Sequence, residues 1–293
     1  MQYRLKVSMV MLIKYNFCIQ HSGRLSTGRA IFAGQEDEMK VTFLGTGTSQ
    51  GIPVIGCGCQ VCQSDDPRDK RLRSSISVET GDQRIIVDCG PDFRQQMLRE
   101  NITSIDAILV THGHKDHLGG LDEIRAFNYI NGRPADVYSS FGVQQMIKRE
   151  FSYAFQKEPY PGVPEINLHR ITNKPFMIGV DQIIPVRALH YDTTKFVFGF
   201  RINDFTYITD AVKISEAEKK KIKGSRVLVL NSLRKQKHYS HFNLEEALAL
   251  MDEIKPEQGY LTHISHQMGR YREVSKELPG FVKLAFDKLS ITF

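Results

Sequence analysis

Three histidines and one aspartate fall within six residues in His112-Gly113-His114-Lys115-Asp116-His117. Imidazole and carboxylate together suit Zn, Mn or Fe, and four such groups packed this densely suit two divalent ions rather than one. A second cluster, Cys57-Gly58-Cys59-Gln60-Val61-Cys62, offers three thiolates on a loop that its glycines allow to turn tightly. Three thiolates need a fourth ligand to close a tetrahedral zinc site, and His266, in Thr262-His263-Ile264-Ser265-His266, is the candidate.

The elements around these clusters are short. Val41–Leu44 reads as a strand ending in Gly45-Thr46-Gly47-Thr48. Ser75–Glu79 alternates, Gly81-Asp82 signals a turn, and Arg84–Val87 is a strand that ends at Asp88-Cys89-Gly90. Phe93–Glu100 has helical spacing. Ala107–Val110 is a buried strand delivering Thr111-His112, and Gly119–Ile130 reads as one helix. Val137-Tyr138 and Gln182–Leu189 are further strands, and Phe196–Ile202, Asn203-Asp204 and Phe205–Ile208 make a hairpin. Arg226–Leu230 is a strand, Asn243–Ile254 a helix, and Gly259–Leu261 the strand before Thr262-His263. Interleaved strands and helices give an α/β (α+β) class.

Composition narrows the setting. The chain has 293 residues, a formal charge of +6 and 25% charged residues, which excludes wholesale disorder. No apolar run reaches the ~18–20 residues of a membrane span, so no membrane partner is expected. Five cysteines, three of them in the knuckle, make a poor disulfide framework and point to a reducing, cytoplasmic compartment. The weak positive charge permits an anionic substrate without requiring one. Residues 1–38 lack clear periodicity and read as an N-terminal extension, with the working domain at 39–293.

The run His112-x-His114-x-Asp116-His117 resembles the signature of the metallo-β-lactamase-fold hydrolases. The resemblance extends from Met39 to the C-terminus and implies an αββα four-layer sandwich. It also implies roles for residues that no local pattern marks. Asp88 matches an early supporting aspartate. His190 and His263 match later ligand histidines, and Asp210 matches a bridging carboxylate. One metal would then take His112, His114 and His190, the other Asp116, His117 and His263, with Asp210 between them. A water held between two divalent ions loses a proton near neutral pH and becomes a nucleophile, which Asp116 and the metal pair would orient for attack. Zn or Mn are the expected active-site metals, with one structural Zn in the knuckle.

Met39–Cys62 together with the His263/His266 pair resembles the PhnP-type phosphodiesterases, which hydrolyse cyclic phosphates. The implied substrate is a small phosphodiester or cyclic phosphate. Ribonuclease Z shares Gly45-Thr46-Gly47 and Asp88-Cys89-Gly90, which makes an RNA-processing nuclease one alternative. A non-catalytic protein like PqqB, which has a similar knuckle, is another. His241, in His241-Phe242-Asn243-Leu244, resembles the PhnP-type His-x-[Asp/Asn]-Leu pattern and is the expected general acid, whereas His238 reads as a surface residue. Arg73 is weighed as a phosphate donor. The aromatic stretch Phe151–Pro164 is weighed as a lid, as insert core or as the surface of a homodimer.

Overall fold

In the computed structural model, residues 38–81, 83–191 and 195–293 are described. The N-terminal extension up to residue 37, Cys18 and His21 within it, and Asp82 of the expected turn lie outside them. No described helix is long and apolar enough to cross a membrane.

Two mixed sheets stack face to face. The first runs β15-β1-β2-β3-β4-β5-β6 and is built from β1 (Met39–Gly45), β2 (Ser75–Thr80), β3 (Gln83–Val87), β4 (Ala107–Leu109), β5 (Ala135–Ser139), β6 (Ile166–Arg170) and β15 (Ser290–Thr292). The second runs β11-β8-β9-β10-β12-β13-β14, with β7 also paired to β8. Its strands are β7 (Phe176–Ile178), β8 (Asp181–Leu189), β9 (Phe196–Ile202), β10 (Phe205–Ile208), β11 (Lys213–Ile214), β12 (Val227–Asn231), β13 (Gln258–Thr262) and β14 (Val282–Leu284).

The expected four layers follow from how each strand divides its side chains. Ile85 and Val87 point between the sheets with Phe200, Tyr207 and Val229, while Ile86 points outward with Ile108 and Phe93. Leu228 and Leu230 point the other way, onto Ala247 and Met251. Strands buried on both faces carry continuous apolar runs rather than strict alternation, which is why their sequences read as buried. Helices α1 (Phe93–Arg99), α2 (Lys115–Leu118), α3 (Arg125–Asn131) and α4 (Phe141–Glu150) accompany the first sheet. Helices α5 (Glu216–Ile222), α6 (Leu244–Ile254) and α7 (Tyr271–Val274) accompany the second.

Within each sheet, neighbours β3, β4 and β5, and β10, β12 and β13, run parallel. The segments that follow β3, β4, β8, β10 and β13 meet at one edge of the sandwich, and those segments carry the candidate site.

The expected helix Gly119–Ile130 is instead broken into a 3₁₀ turn at Leu121–Ile124 and then α3. Gly120 packs so tightly against the Asp88 turn that a Cβ there would lie 2.1 Å from Gly90 O. That close approach fixes the chain before it can continue as a regular helix.

Candidate metal centre

Three of the strand-end residues hold backbone angles that L-residues rarely adopt. Asp88, Asp210 and His263 have φ of 66°, 58° and 55°. Left-handed non-glycine residues cost on the order of 1–3 kcal/mol and gather where a site needs them. Here each turns its side chain into the edge between the sheets.

Asp88, fully buried, holds the histidine loop from beneath. Its Oδ1 accepts from Thr111 N at 2.8 Å, and its Oδ2 lies 2.7 Å from His117 Nδ1 and accepts from Thr111 Oγ1 at 2.9 Å. This leaves His117 Nε2 to face the site, the orientation a carboxylate imposes on a metal-bound imidazole. Gly90 lets the loop dock, because a Cβ there would lie 1.9 Å from Asp116 O. Asp88→Asn is therefore expected to weaken metal retention by roughly 10–100-fold with little change in fold. Dialysis against graded chelator, followed by metal analysis, checks this; unchanged retention would remove Asp88 from the support of His117.

The structure gathers the expected ligands in two groups. Ligand atoms of His112, His114 and His190 lie within 4.8 Å of one another, as do those of Asp116, His117, Asp210 and His263. His190 lies with Nδ1 3.0 Å from Ser240 O, which directs Nε2 inward. His117 Nε2 is 3.1 Å from Asp116 Oδ2 and 3.2 Å from Asp210 Oδ2, and His263 Nε2 is 3.3 Å from Asp210 Oδ1. Asn231, at the end of β12, clamps the Asp210 turn through both main-chain groups of Ala211.

A cation fits these groups. Buried His112 Nε2 lacks a hydrogen-bond partner among the described residues, at a cost of about 1–3 kcal/mol, and His117 Nε2 faces two carboxylates at 3.1 and 3.2 Å. Burial pushes the His112 imidazole well below the usual histidine range, with His117 adding to it. Burial alone would do the same to His117, but Asp210, Asp116 and Asp88 together raise it well above that range. The concentration of buried carboxylate calls for positive charge, which divalent ions would supply.

His241 belongs to the same edge. Its Nε2 lies 3.0 Å from Asp210 Oδ1, and its ring stacks on His263 with centroids 5.0 Å apart. His190, Asp210 and His241 also bring ligand atoms within 4.8 Å of one another. The expected helix start just beyond His241 is present: Asn243 caps α6 in a capping box with Glu246. Phe242 N donates to Ala211 O, tying the His241 loop to the Asp210 turn.

His238 is not simply a surface residue. It lines the cleft over the metal groups, with Nδ1 3.1 Å from Ser240 Oγ and 3.3 Å from His241 Nδ1. Ser240 Oγ is also 2.8 Å from His241 Nδ1. The cleft has a volume of about 490 Å³. Its lining includes Arg234 and Lys195, and Tyr191 and Tyr239 pair edge to face there at 5.4 Å.

The four knuckle side chains come together. Sγ of Cys57, Cys59 and Cys62 lie 3.3, 3.4 and 3.6 Å from His266 Nδ1. Zn–S bonds of ~2.3 Å and a Zn–N bond of ~2.0 Å imply tetrahedral edges of about 3.5 Å, which these separations match. A hydrogen bond from the Cys62 main chain pulls the Cys59 thiol down to about 6, whereas burial pushes the Cys62 thiol up to about 11, so without a cation the cluster favours one thiolate rather than three. Cys89, by contrast, is buried in the apolar layer beside Ile86.

Two candidates fall elsewhere. Arg73 is held by Asp92 at 3.0 Å and by Ser49 O, and does not line the cleft. The Phe151–Pro164 stretch buries Phe151 in the outer helical layer and contributes no residue to the cleft lining.

Known proteins share this fold. The family model for the β-lactamase superfamily domain matches residues 83–264. A solved structure described as a new diphosphatase from the PhnP family aligns with 35% identity and a TM-score of 0.81, covering 87% of this chain and 97% of that one. Zn(2+)-bound PqqB from Methylobacterium extorquens aligns at 20% identity and a TM-score of 0.70, over 86% of this chain and 99% of its own. An octanoyltransferase of Porphyromonas gingivalis is 37% identical over 254 residues, 86% of this chain. The chain spans about half of that relative, 51% of its length.

Proposed function

This chain belongs to the β-lactamase superfamily and, within it, to the PhnP family, and from that premise we propose that it is a two-metal phosphodiesterase acting on small cyclic phosphates or nucleotides. Its sandwich is the metallo-β-lactamase fold, which implies divalent metals. In this reading His112, His114 and His190 hold one ion, Asp116, His117 and His263 the other, and Asp210 serves both. When bound, the ions supply an activated water and take up charge from a phosphoryl group.

The chain's own residues do the rest. Asp88 and Ser240 O fix which imidazole nitrogen of His117 and His190 faces inward. Arg234 and Lys195 give the cleft positive charge for an anionic substrate. His241 carries a proton on Nε2 and delivers it to the departing oxygen, while Ser240 and His238 hold the ring through Nδ1. The observation that carries this reading is the pairing of the two ligand groups with a histidine whose Nε2 lies 3.0 Å from Asp210, a carboxylate of the second group that also lies near His190. The complete ligand set speaks for an enzyme rather than a binding protein of the PqqB kind. The Phe151–Pro164 stretch is short and contributes no residue to the cleft lining, and gives no support to an RNA-holding arm. Cys57, Cys59, Cys62 and Cys89 form no disulfide among the described residues, which suits a reducing compartment, the cytoplasm in this reading.

Metal analysis with a panel of cyclic, linear and anhydride-linked phosphates tests it. Three metals per chain are expected in two classes, the knuckle zinc resisting chelators and the paired ions exchanging with loss of turnover. Cys59→Ser should lower the melting temperature, because structural zinc supplies folding free energy. Two metals or fewer with freely titratable knuckle thiols, or no turnover on any phosphodiester, would sink the reading.

A further inference from the structure

A second cavity, of about 570 Å³, lies away from the metal centre, between the knuckle segment, α1 and the link from β14 to β15. Five cations, Arg68, Lys70, Arg71, Arg99 and Lys288, line it against one acid, Asp287. We propose that this cavity binds a small organic phosphate, held by Arg71 and Lys288 and packed against the apolar wall of Ile52, Pro53 and Phe286.

Most of the lining charge is already engaged. Arg68 is paired with Asp66, Lys70 donates to Cys62 O, and Arg99 is shared among Glu100, Leu44 O and Asp287. Asp287 is also saturated: it accepts from Thr46 Oγ1 and Leu72 N besides Arg99. Two cations stand apart from these pairings.

Arg71 is 3% exposed, and Nη1 makes both of its side-chain hydrogen bonds, to Thr46 Oγ1 at 2.7 Å and to Ala285 O at 2.5 Å. Its Nε and Nη2 have no partner among the described residues, and no carboxylate lies within ion-pair distance of it there. That free edge is the fork that grips two oxygens of a phosphate at once. Burial pulls this guanidinium down to about 10, offset only in part by Asp287 and Asp69 nearby, neither of which pairs with it directly. The second cation, Lys288, is exposed, makes no ion pair among the described residues, and holds a left-handed φ of 74° at the rim. Strained backbone at a cavity lip is a feature that binding sites retain. The apolar part of the wall distinguishes a phosphate ester carrying a ring from the bare anion.

Calorimetric titration of the metal-loaded protein with phenyl phosphate and with inorganic phosphate tests the assignment. Two classes of site are expected, one at the metal centre and one here, with phenyl phosphate the tighter ligand of the second. Lys288→Glu should weaken the second class at least about tenfold, the scale of a lost charge-assisted bond, while turnover stays at the parent level. Arg71→Gln, checked for parent-like circular dichroism, should remove the second class; if it fails to fold, Lys288→Glu decides alone. A single class in the parent, or a second class untouched by Lys288→Glu, overturns the proposal. Equal affinity for the two phosphates overturns the organic part of it.

Discussion

Asp210→Ala is expected to lower turnover by roughly 10⁴-fold, the scale on which a member of a unit of cooperating groups fails, and to release metal from the paired centre. Asp210 is 2% exposed, groups with Asp116, His117 and His263, and brings a carboxylate oxygen within 4.8 Å of a ligand atom of His190 from the other candidate group. Oδ1 serves His241 and His263 and Oδ2 serves His117, while Thr209 Oγ1 donates to Oδ2 at 2.6 Å. Burial alone would push its carboxyl up, but His263 and His117 hold it well below the usual carboxylate range. Alanine therefore removes a buried anion together with the group that orients three imidazoles. Paired-centre metal should fall below two ions per chain while the knuckle metal stays. Because His241 acts through the same assembly, adding His241→Ala should cost little more than Asp210→Ala alone. Turnover within tenfold of the parent, with both ions retained, would show that Asp210 is not shared.

How much of this centre is legible in the sequence depends on what kind of proximity the chain uses. His112, His114, Asp116 and His117 are contiguous, and dense ligand spacing needs no tertiary knowledge. The same holds for Cys57, Cys59 and Cys62. Asp88, His190, Asp210 and His263 are brought in by strand ends of two sheets, and nothing local marks them; only resemblance located them. Their left-handed backbones, at Asp88, Asp210 and His263, are equally silent, since no turn signal in the sequence accompanies them.

His238 is hidden by its neighbours. Lys235 and Lys237 make the segment read as solvated, yet Arg234 donates to Lys237 O and His238 lines the cleft. Ser240 gives no signal at all, because a lone serine in a polar segment has no chemistry until a ring nitrogen is placed 2.8 Å away. Arg73 shows the reverse error: an arginine entering a strand suggests a phosphate donor, but Asp92, at the start of α1, claims it first. The strands found most readily, such as those of the Phe196–Ile208 hairpin, combine apolar runs with a turn signal at Asn203, whose φ of 51° the turn requires. β14 and β15 are three residues each and carry no such signal; β15 forms only because β1 offers it an edge.

His241→Ala should lower turnover by about 10²–10⁴-fold on a diester with an alkoxide leaving group, and far less on one that expels a nitrophenolate. A poor leaving group must be protonated as it departs, whereas a nitrophenolate is stable as an anion. The ring is placed to donate, because Nε2 reaches into the cleft beside Asp210 while Ser240 and His238 meet it at Nδ1. His238→Ala removes only one of those two contacts, so its defect should be smaller and should follow the same leaving-group dependence. His241 also lies within ligand distance of His190 and Asp210, so metal content separates the two roles it could have. As a proton donor, its loss leaves both ions in place; as a ligand, its loss releases one. An equal loss of turnover on both diesters, with full metal content, would instead make His241 a group that positions substrate.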